Sequence, residues 1–206
     1  VKDNYVDEYG NQIALDGDKT VNNPYWIIYN NKFTNELERL IGSLELTYKP
    51  TSWLSITNRA GTDFYNEYRR QVYKKGTLGQ MDGKFTTYNL YNKVFNNDLM
   101  ATANFDISSD LNIRVIAGHN IFQQERRRAI ITGTDLVMDE LYRFGNAKST
   151  SADNYYSIKR LMGIYGDVSM SYKNFLYLNV TGRNDWSSTL PVENNSYFYP
   201  RISLLD

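Results

Sequence analysis

The sequence predicts an all-β fold: an antiparallel segment of a transmembrane β-barrel with long extracellular loops. Three patterns predict it. Apolar and polar residues alternate along the predicted strands, tight turns alternate with long connections, and aromatic residues gather at both strand ends. Outer-membrane barrels join their strands by short periplasmic turns and longer outer loops, with aromatic girdles at both interfaces.

The composition excludes several other classes of protein. The 206 residues include no Cys and one His, and 23 basic side chains balance 23 acidic ones. A disulfide scaffold is therefore excluded, and zero net charge argues against a nucleic-acid binder. At 41% hydrophobic and 15% aromatic, the chain is too apolar to be disordered. No apolar run is long enough for a transmembrane helix.

Period-two alternation predicts three hairpins and the start of a further strand. The hairpins lie near residues 39–64, 98–122 and 160–183, with tight turns at 49–52, 108–110 and 173–174. The further strand covers 197–206, with Pro200 near its end or at a bulge. Asn58 breaks the alternation, which allows a bulge there. The apolar faces carry Leu40, Leu44, Leu46, Leu54, Ile56, Leu99, Phe105, Ile113, Val115, Ile164, Val168, Leu178 and Val180.

The connections between the hairpins are predicted to be long outer loops. They cover roughly residues 65–97, 123–157 and 184–196, and Thr134–Phe144 is expected to form a short helix closed by Gly145. Each strand is then about 10 to 12 residues long, enough to cross a bilayer core when tilted. We therefore divide the chain into an extracellular loop, residues 1–38, and a barrel segment of six to seven strands, residues 39–206.

Three short motifs give the chain a family resemblance. They are TGRNDWSSTLP at Thr181–Pro191, NNSYFYP at Asn194–Pro200, and NPYW at Asn23–Trp26. Together they resemble SusC/RagA-type TonB-dependent transporters. The resemblance implies a 22-stranded outer-membrane barrel with an internal plug, which imports oligosaccharides or sometimes peptides.

The resemblance also implies partners and a location. A SusD-like surface lipoprotein caps the barrel, and the TonB complex supplies energy through a plug domain that is not in this chain. Six strands cannot close such a barrel, and open sheet edges do not survive in lipid. We therefore expect an internal segment of a longer protein in the outer membrane of a Gram-negative bacterium.

Candidate binding residues are polar side chains of the barrel lumen and aromatic side chains of the outer loops. Planar hydrogen-bonding groups and aromatic faces suit an oligosaccharide or a peptide. The alternatives are that lumen charges pair with each other or with the plug, that loop aromatics pack within the loops, and that Asp185-Trp186 shapes the end of its strand. The candidates are Tyr25, Trp26, Arg59, Asp63, Arg114, Asn120, Arg183 and Trp186.

The basic run Arg126–Arg128 follows the predicted outer end of a strand. Its guanidinium groups suit the phosphates of lipopolysaccharide in the outer leaflet, and salt bridges within a solvated loop are the alternative. No catalytic motif is present, so we expect no enzyme activity, no cofactor and no metal site. The remaining alternative for the whole chain is a soluble carbohydrate-binding β-sandwich.

Overall fold

A computed structural model of the chain describes residues 4–16 and 18–205. Residues 1–3 and 17 of the predicted segment 1–38, and residue 206 of the predicted strand 197–206, lie outside the described residues. The described residues form one short α-helix, two 3-10 turns and seven strands. The helix is α1 (Pro24–Asn30), and the 3-10 turns are Phe144–Asn146 and Val192–Asn194. The strands are β1 (Lys32–Tyr48), β2 (Leu54–Tyr73), β3 (Lys84–Ser108), β4 (Leu111–Leu136), β5 (Ala147–Tyr172), β6 (Leu176–Ser187) and β7 (Ser196–Leu205).

The seven strands form one open sheet in chain order, β1 to β7. The strands are antiparallel, so the predicted fold class, a segment of an antiparallel barrel, is confirmed. A β-sandwich needs two sheets packed face to face. The described strands make a single sheet, so the fold does not support the sandwich alternative.

The strands are longer than the sequence predicted. β2, β3, β4 and β5 contain 20, 25, 26 and 26 residues, where about 10 to 12 were expected. The predicted loops 65–97 and 123–157 are therefore mostly strand. Polar residues such as Asn66 and Thr87 interrupt the pattern in these segments, so alternation loses its contrast there. The connections still alternate between short (49–53, 109–110, 173–175) and longer (74–83, 137–146, 188–195).

The predicted helix at Thr134–Phe144 is wrong. β4 continues to Leu136, and a 3-10 turn forms at Phe144–Asn146 instead. The Asn146 side chain closes the loop before it: its Oδ1 accepts from the Met138 N–H, and its Nδ2 donates to the Leu141 carbonyl at 2.7 Å. These contacts shape the loop locally, and Leu136 packs with the distant Val72 and Phe85, so the helical pattern is overridden.

A continuous register links β5, β6 and β7. Val168 faces Val180, which faces Ile202, and the next row runs Ser169, Asn179, Ser203. Because directly opposed residues share a face, these two rows lie on opposite sides of the sheet. The apolar and polar faces predicted for the third hairpin are therefore present.

Pro200 lies in the middle of β7, opposite Gly182, and the register does not shift there. The expectation of a strand end or a bulge at Pro200 was wrong. A proline lacks the N–H that a ladder needs, and edge strands tolerate this loss. In the described sheet, β7 is an edge strand.

Contacts divide the chain into two compact units. We call Val1–Glu38, Tyr65–Tyr91 and Arg126–Tyr156 the loop unit, and Arg39–Phe64, Asn92–Glu125 and Ser157–Asp206 the hairpin unit. The loop unit contains a small core of Val72, Phe85 and Leu136, with Tyr142 and Ala147 packed against it. The predicted division into an extracellular loop and a barrel segment stays a prediction.

The hairpin unit exposes its apolar face. Leu44 is 59% exposed, Ile164 54% and Ile202 73%. These side chains are not buried against a second layer of the described chain. Among the described residues, no helix has the length and hydrophobicity needed to cross a bilayer.

Candidate binding surface

The NPYW motif forms a structural anchor. Asn23 caps α1 by accepting from the Tyr25 N–H at 3.0 Å, and Pro24 occupies the first turn, where its missing N–H costs nothing. Trp26 is 2% exposed, and its indole N–H donates to the Thr77 hydroxyl at 2.9 Å. Burial therefore removes Trp26 from the candidate ligand contacts. Tyr25 is half-buried and stacks on Tyr29, with ring centroids 6.4 Å apart.

Two of the predicted lumen residues are held in ion pairs. Arg59 bonds Glu45 at 2.7 Å, and Asp63 accepts from Arg39 at 2.8 and 2.9 Å. These are the internal pairs that the sequence left open as the alternative to ligand binding. The partners are about one third to one half exposed, so solvent screens both pairs and their contribution to stability is small.

Asn120 and Arg114 lie on the same strand, β4, and differ in their contacts. The Asn120 amide donates to Asp98 at 2.7 Å and to Asn96 at 3.0 Å, which links β4 to β3. Arg114 is exposed and has no hydrogen bond or ion pair with the described residues. The structure therefore fixes the orientation of Asn120 but not that of Arg114.

Arg183 is the best-defined candidate. Its Nε donates to both carboxylate oxygens of Asp185, at 2.8 and 3.0 Å, and its guanidinium carbon lies 5.8 Å from the centre of the Tyr165 ring. The Nη groups have no acceptor among the described residues, so their donors are free for a ligand.

Two glycines make room for this arrangement. A Cβ at Gly163 would lie 2.7 Å from an Arg183 Nη and would also strike the Asp185 carboxylate. A Cβ at Gly118 would lie 2.6 Å from the Tyr165 hydroxyl. The side chains of Arg183, Asp185 and Tyr165 therefore rest on glycine backbone, and a methyl group would displace them.

A cavity of about 320 Å³ opens beside Arg183. The register places Tyr199 opposite Arg183 and Tyr197 opposite Asp185, on the same face. The cavity thus combines charged donors, an amide and two phenol rings, which suits hydroxyl or carbonyl groups stacked on a ring. Its lining includes Asn120, Leu161, Arg183, Asp185, Leu190, Tyr197 and Tyr199.

The structure brings Asn120, Arg183 and Trp186 to one cavity and leaves the other candidates apart. Trp186 pairs with Met162 and Ser196, so the alternation of β6 assigns its side chain to the face opposite that of Arg183. The sequence did not predict a role for Tyr165, whose ring packs against the Arg183 guanidinium. It gave Tyr197 and Tyr199 no binding role, although their alternation with Phe198 was the available signal for a shared face.

In the loop unit, the basic run contacts rings and an acid. Arg127 lies 5.1 Å from the ring centre of Tyr91 and 5.7 Å from that of Tyr156. Arg128 donates to Asp153 at 3.0 Å and lies 5.7 Å from the Tyr155 ring centre. The described residues include no group of three or more His, Cys, Asp or Glu placed to hold a metal ion.

No protein-family model matches the sequence, and no curated protein matches it. Solved structures do match the fold. A chain of the RagAB peptide transporter aligns with a TM-score of 0.83 at 15% identity, covering 94% of this chain. The fold is similar to that of part of this transporter chain. The RagAB peptide importer in its closed-closed state aligns with a TM-score of 0.82, also at 15% identity, over 96% of this chain.

The likeness is one of fold, because the identity is low. The chain spans 23% of the length of the transporter chains that it matches. A siderophore receptor, PiuA from Acinetobacter baumannii, aligns less well, with a TM-score of 0.48 at 13% identity, over 86% of this chain and 30% of its own.

Proposed function

We propose that this chain is a segment of a TonB-dependent outer-membrane importer of SusC/RagA type. The observation that carries the proposal is the single antiparallel sheet whose apolar face stays exposed in the hairpin unit. Exposed apolar patches of this extent mark a surface that another apolar phase covers. In a barrel segment, that phase is the hydrocarbon core of the bilayer, and the opposite face lines the lumen.

The proposed cargo is an oligosaccharide or a peptide. The Arg183 cavity supports both, because phenol rings stack on sugars and the Nη donors bind hydroxyl, carbonyl or carboxylate oxygens. The fold likeness to a transporter described as a peptide transporter supports the peptide option.

The proposed partners follow from the same assignment. A SusD-like lipoprotein caps the barrel, the TonB complex acts through a plug domain elsewhere in the protein, and outer-membrane lipid and lipopolysaccharide surround the sheet. We propose transport rather than catalysis, and no cofactor is required.

The first experiment follows the full-length protein in its native cells. We expect it in the outer-membrane fraction, and we expect deletion of its gene to abolish uptake of one labelled pool, either oligosaccharides or peptides. A protein found in the soluble fraction, or a deletion without any uptake defect, would contradict the proposal.

The second experiment tests the cavity. Arg183→Ala removes the fork of donors and should lower uptake at limiting substrate about tenfold or more, since hydrogen bonds to charged groups contribute strongly. Arg183→Lys keeps the charge and should recover only part of the uptake. Arg201→Ala is the matched control, because Arg201 faces Thr181 in the same sheet and does not line the cavity. Equal uptake by Arg183→Ala and Arg201→Ala would remove the cavity from the transport path.

A further inference from the structure

A second cavity, of about 360 Å³, lies within the loop unit. It is bordered by the start of β1, the end of β2 and the connection 137–146. Its charged lining consists of Lys32, Arg70, Lys74 and Glu140, so three positive charges and one negative charge leave a net charge of +2. None of these residues belongs to the Arg183 cavity.

The one acid is already neutralised. Lys74 Nζ bonds Glu140 Oε1 at 2.8 Å. The hydrogen bond from Lys74 lowers the pKa of Glu140, and the charges of Lys74 and Lys32 lower it further. The carboxylate is therefore ionised and engaged by Lys74, while Lys32 and Arg70 have no ion pair among the described residues.

Arg70 has an unsatisfied donor. One Nη donates to the Tyr142 carbonyl, and the guanidinium lies 5.7 Å from the ring centre of Phe85. Its Nε is buried and has no acceptor among the described residues. Burying part of a cation without an anionic partner is costly, and a nearby anion offsets that cost.

Lys32 and Thr34 line the cavity from the start of β1, and alternate residues of a strand share a face, so both lie on one side of this strand. In the proposed barrel, residues beyond the hydrocarbon core meet the anionic headgroups of the outer leaflet.

We propose that Lys32 and Arg70 form a binding site for a phosphate group of an outer-leaflet glycolipid. The inference rests on the proposed outer-membrane location. Tyr29 and Tyr142 also line the cavity, and their rings offer apolar faces to the sugar that carries the phosphate. A guanidinium and an ammonium converging on one anion make charge-assisted hydrogen bonds.

The test measures binding of lipid A with two phosphates to the full-length, delipidated protein in detergent. Lys32 is exposed, so Lys32→Glu should leave the fold intact. Lys148→Glu is the matched control, because Lys148 is an exposed lysine of the same unit that does not line the cavity. We expect Lys32→Glu to weaken lipid A binding about tenfold or more and Lys148→Glu to change it less than twofold.

Three further comparisons decide the chemistry and the source of the anion. Dephosphorylated lipid A should bind weakly and equally to both variants. Equal weakening of bisphosphorylated lipid A by both substitutions would overturn the site. Displacement of lipid A by low millimolar inorganic phosphate would show a free-anion site and overturn the glycolipid assignment.

Fractionation and uptake by the same variants separate this inference from the proposed function. A protein that resides in the outer membrane and imports its cargo, but binds lipid A independently of Lys32, would contradict the glycolipid site alone. A protein outside the outer membrane would contradict the proposed function.

Discussion

The loop unit and the hairpin unit are built on opposite principles. The buried apolar side chains of the described chain, namely Trp26, Val72, Phe85 and Leu136, all belong to the loop unit. The hairpin unit instead exposes Leu44, Ile164 and Ile202. Its other face is ordered by ion pairs and by hydrogen bonds from side-chain amides. The comparison teaches that the loop unit has a core of its own, whereas the described chain leaves the apolar face of the hairpin unit uncovered, as the proposed membrane location requires.

The largest effect is expected when Trp26, the buried side chain that anchors α1 in the loop unit, is removed. Trp26→Ala removes a buried indole and its bond to Thr77, and should cost about 3–5 kcal/mol of local stability. Ile28→Ala, at a residue 69% exposed in the same helix, is the control and should cost less than about 0.5 kcal/mol. Urea unfolding of the full-length protein, read by limited proteolysis of the loop unit, gives both values. Similar costs would show that α1 does not anchor the unit.

The next prediction tests the faces of the hairpin unit. Val180→Arg places a charge on the apolar face and should cost about 2–4 kcal/mol if the site lies near the bilayer midplane. Asn179→Arg places the same charge on the polar face, beside Asp167, and should cost much less. Unfolding in lipid vesicles measures both, and equal costs would contradict the assignment of faces.

A smaller effect is expected at the glycine beneath Arg183. Gly163→Ala pushes against Asp185 and Arg183 and should cost about 1–3 kcal/mol through overpacking. It should also lower uptake, because it moves the Nη donors. Gly166→Ala is the control in the same strand, where the nearest atom lies 3.8 Å from the added Cβ. Thermal unfolding and uptake should both separate the two variants; a Gly163→Ala protein indistinguishable from Gly166→Ala would refute the packing argument.

The smallest effect is a pH dependence confined to the loop unit. The hydrogen bond from Arg69 lowers the pKa of Glu67, although burial of the carboxyl group opposes this, and Asn35 also donates to it. A depressed pKa stabilises the fold above the unfolded value of about 4.3 and loses that contribution as pH falls through the folded value. Proteolysis of the loop unit should therefore accelerate below about pH 4.3. Glu67→Gln should flatten the profile, and an unchanged profile would contradict the assignment.

The sequence predicted the faces of the hairpin unit well, because alternation is a local signal. Val168 and Val180 stand on the apolar face as expected, and Arg183 on the polar face. Strand ends were predicted poorly, since residues such as Asn66 and Thr87 are polar where an apolar side chain would have marked the strand. Thr134–Phe144 failed as a helix because the side chain of Asn146 organises that loop.

The candidate site was only partly predictable for a different reason. Arg183 and Asp185 are two residues apart on one strand, so their shared face was evident. Tyr165 reaches Arg183 through the register of β5 with β6, which no local pattern specifies. The burial of Trp26 depends on Thr77, 51 residues along the chain, and so was also beyond sequence reasoning.

The most direct measurement compares the two faces of β5, β6 and β7 in a reconstituted membrane. The chain contains no Cys, so each introduced cysteine is the single labelling site of this segment once any cysteines elsewhere in the full-length protein have been replaced. Val168→Cys, Val180→Cys and Ile202→Cys sample one face, and Ser169→Cys, Asn179→Cys and Ser203→Cys the other. Labels on the first three should collide mainly with lipid-soluble oxygen, and labels on the second three with a water-soluble nickel chelate. Equal accessibility at all six positions, or the reverse pattern, would contradict the membrane-spanning sheet.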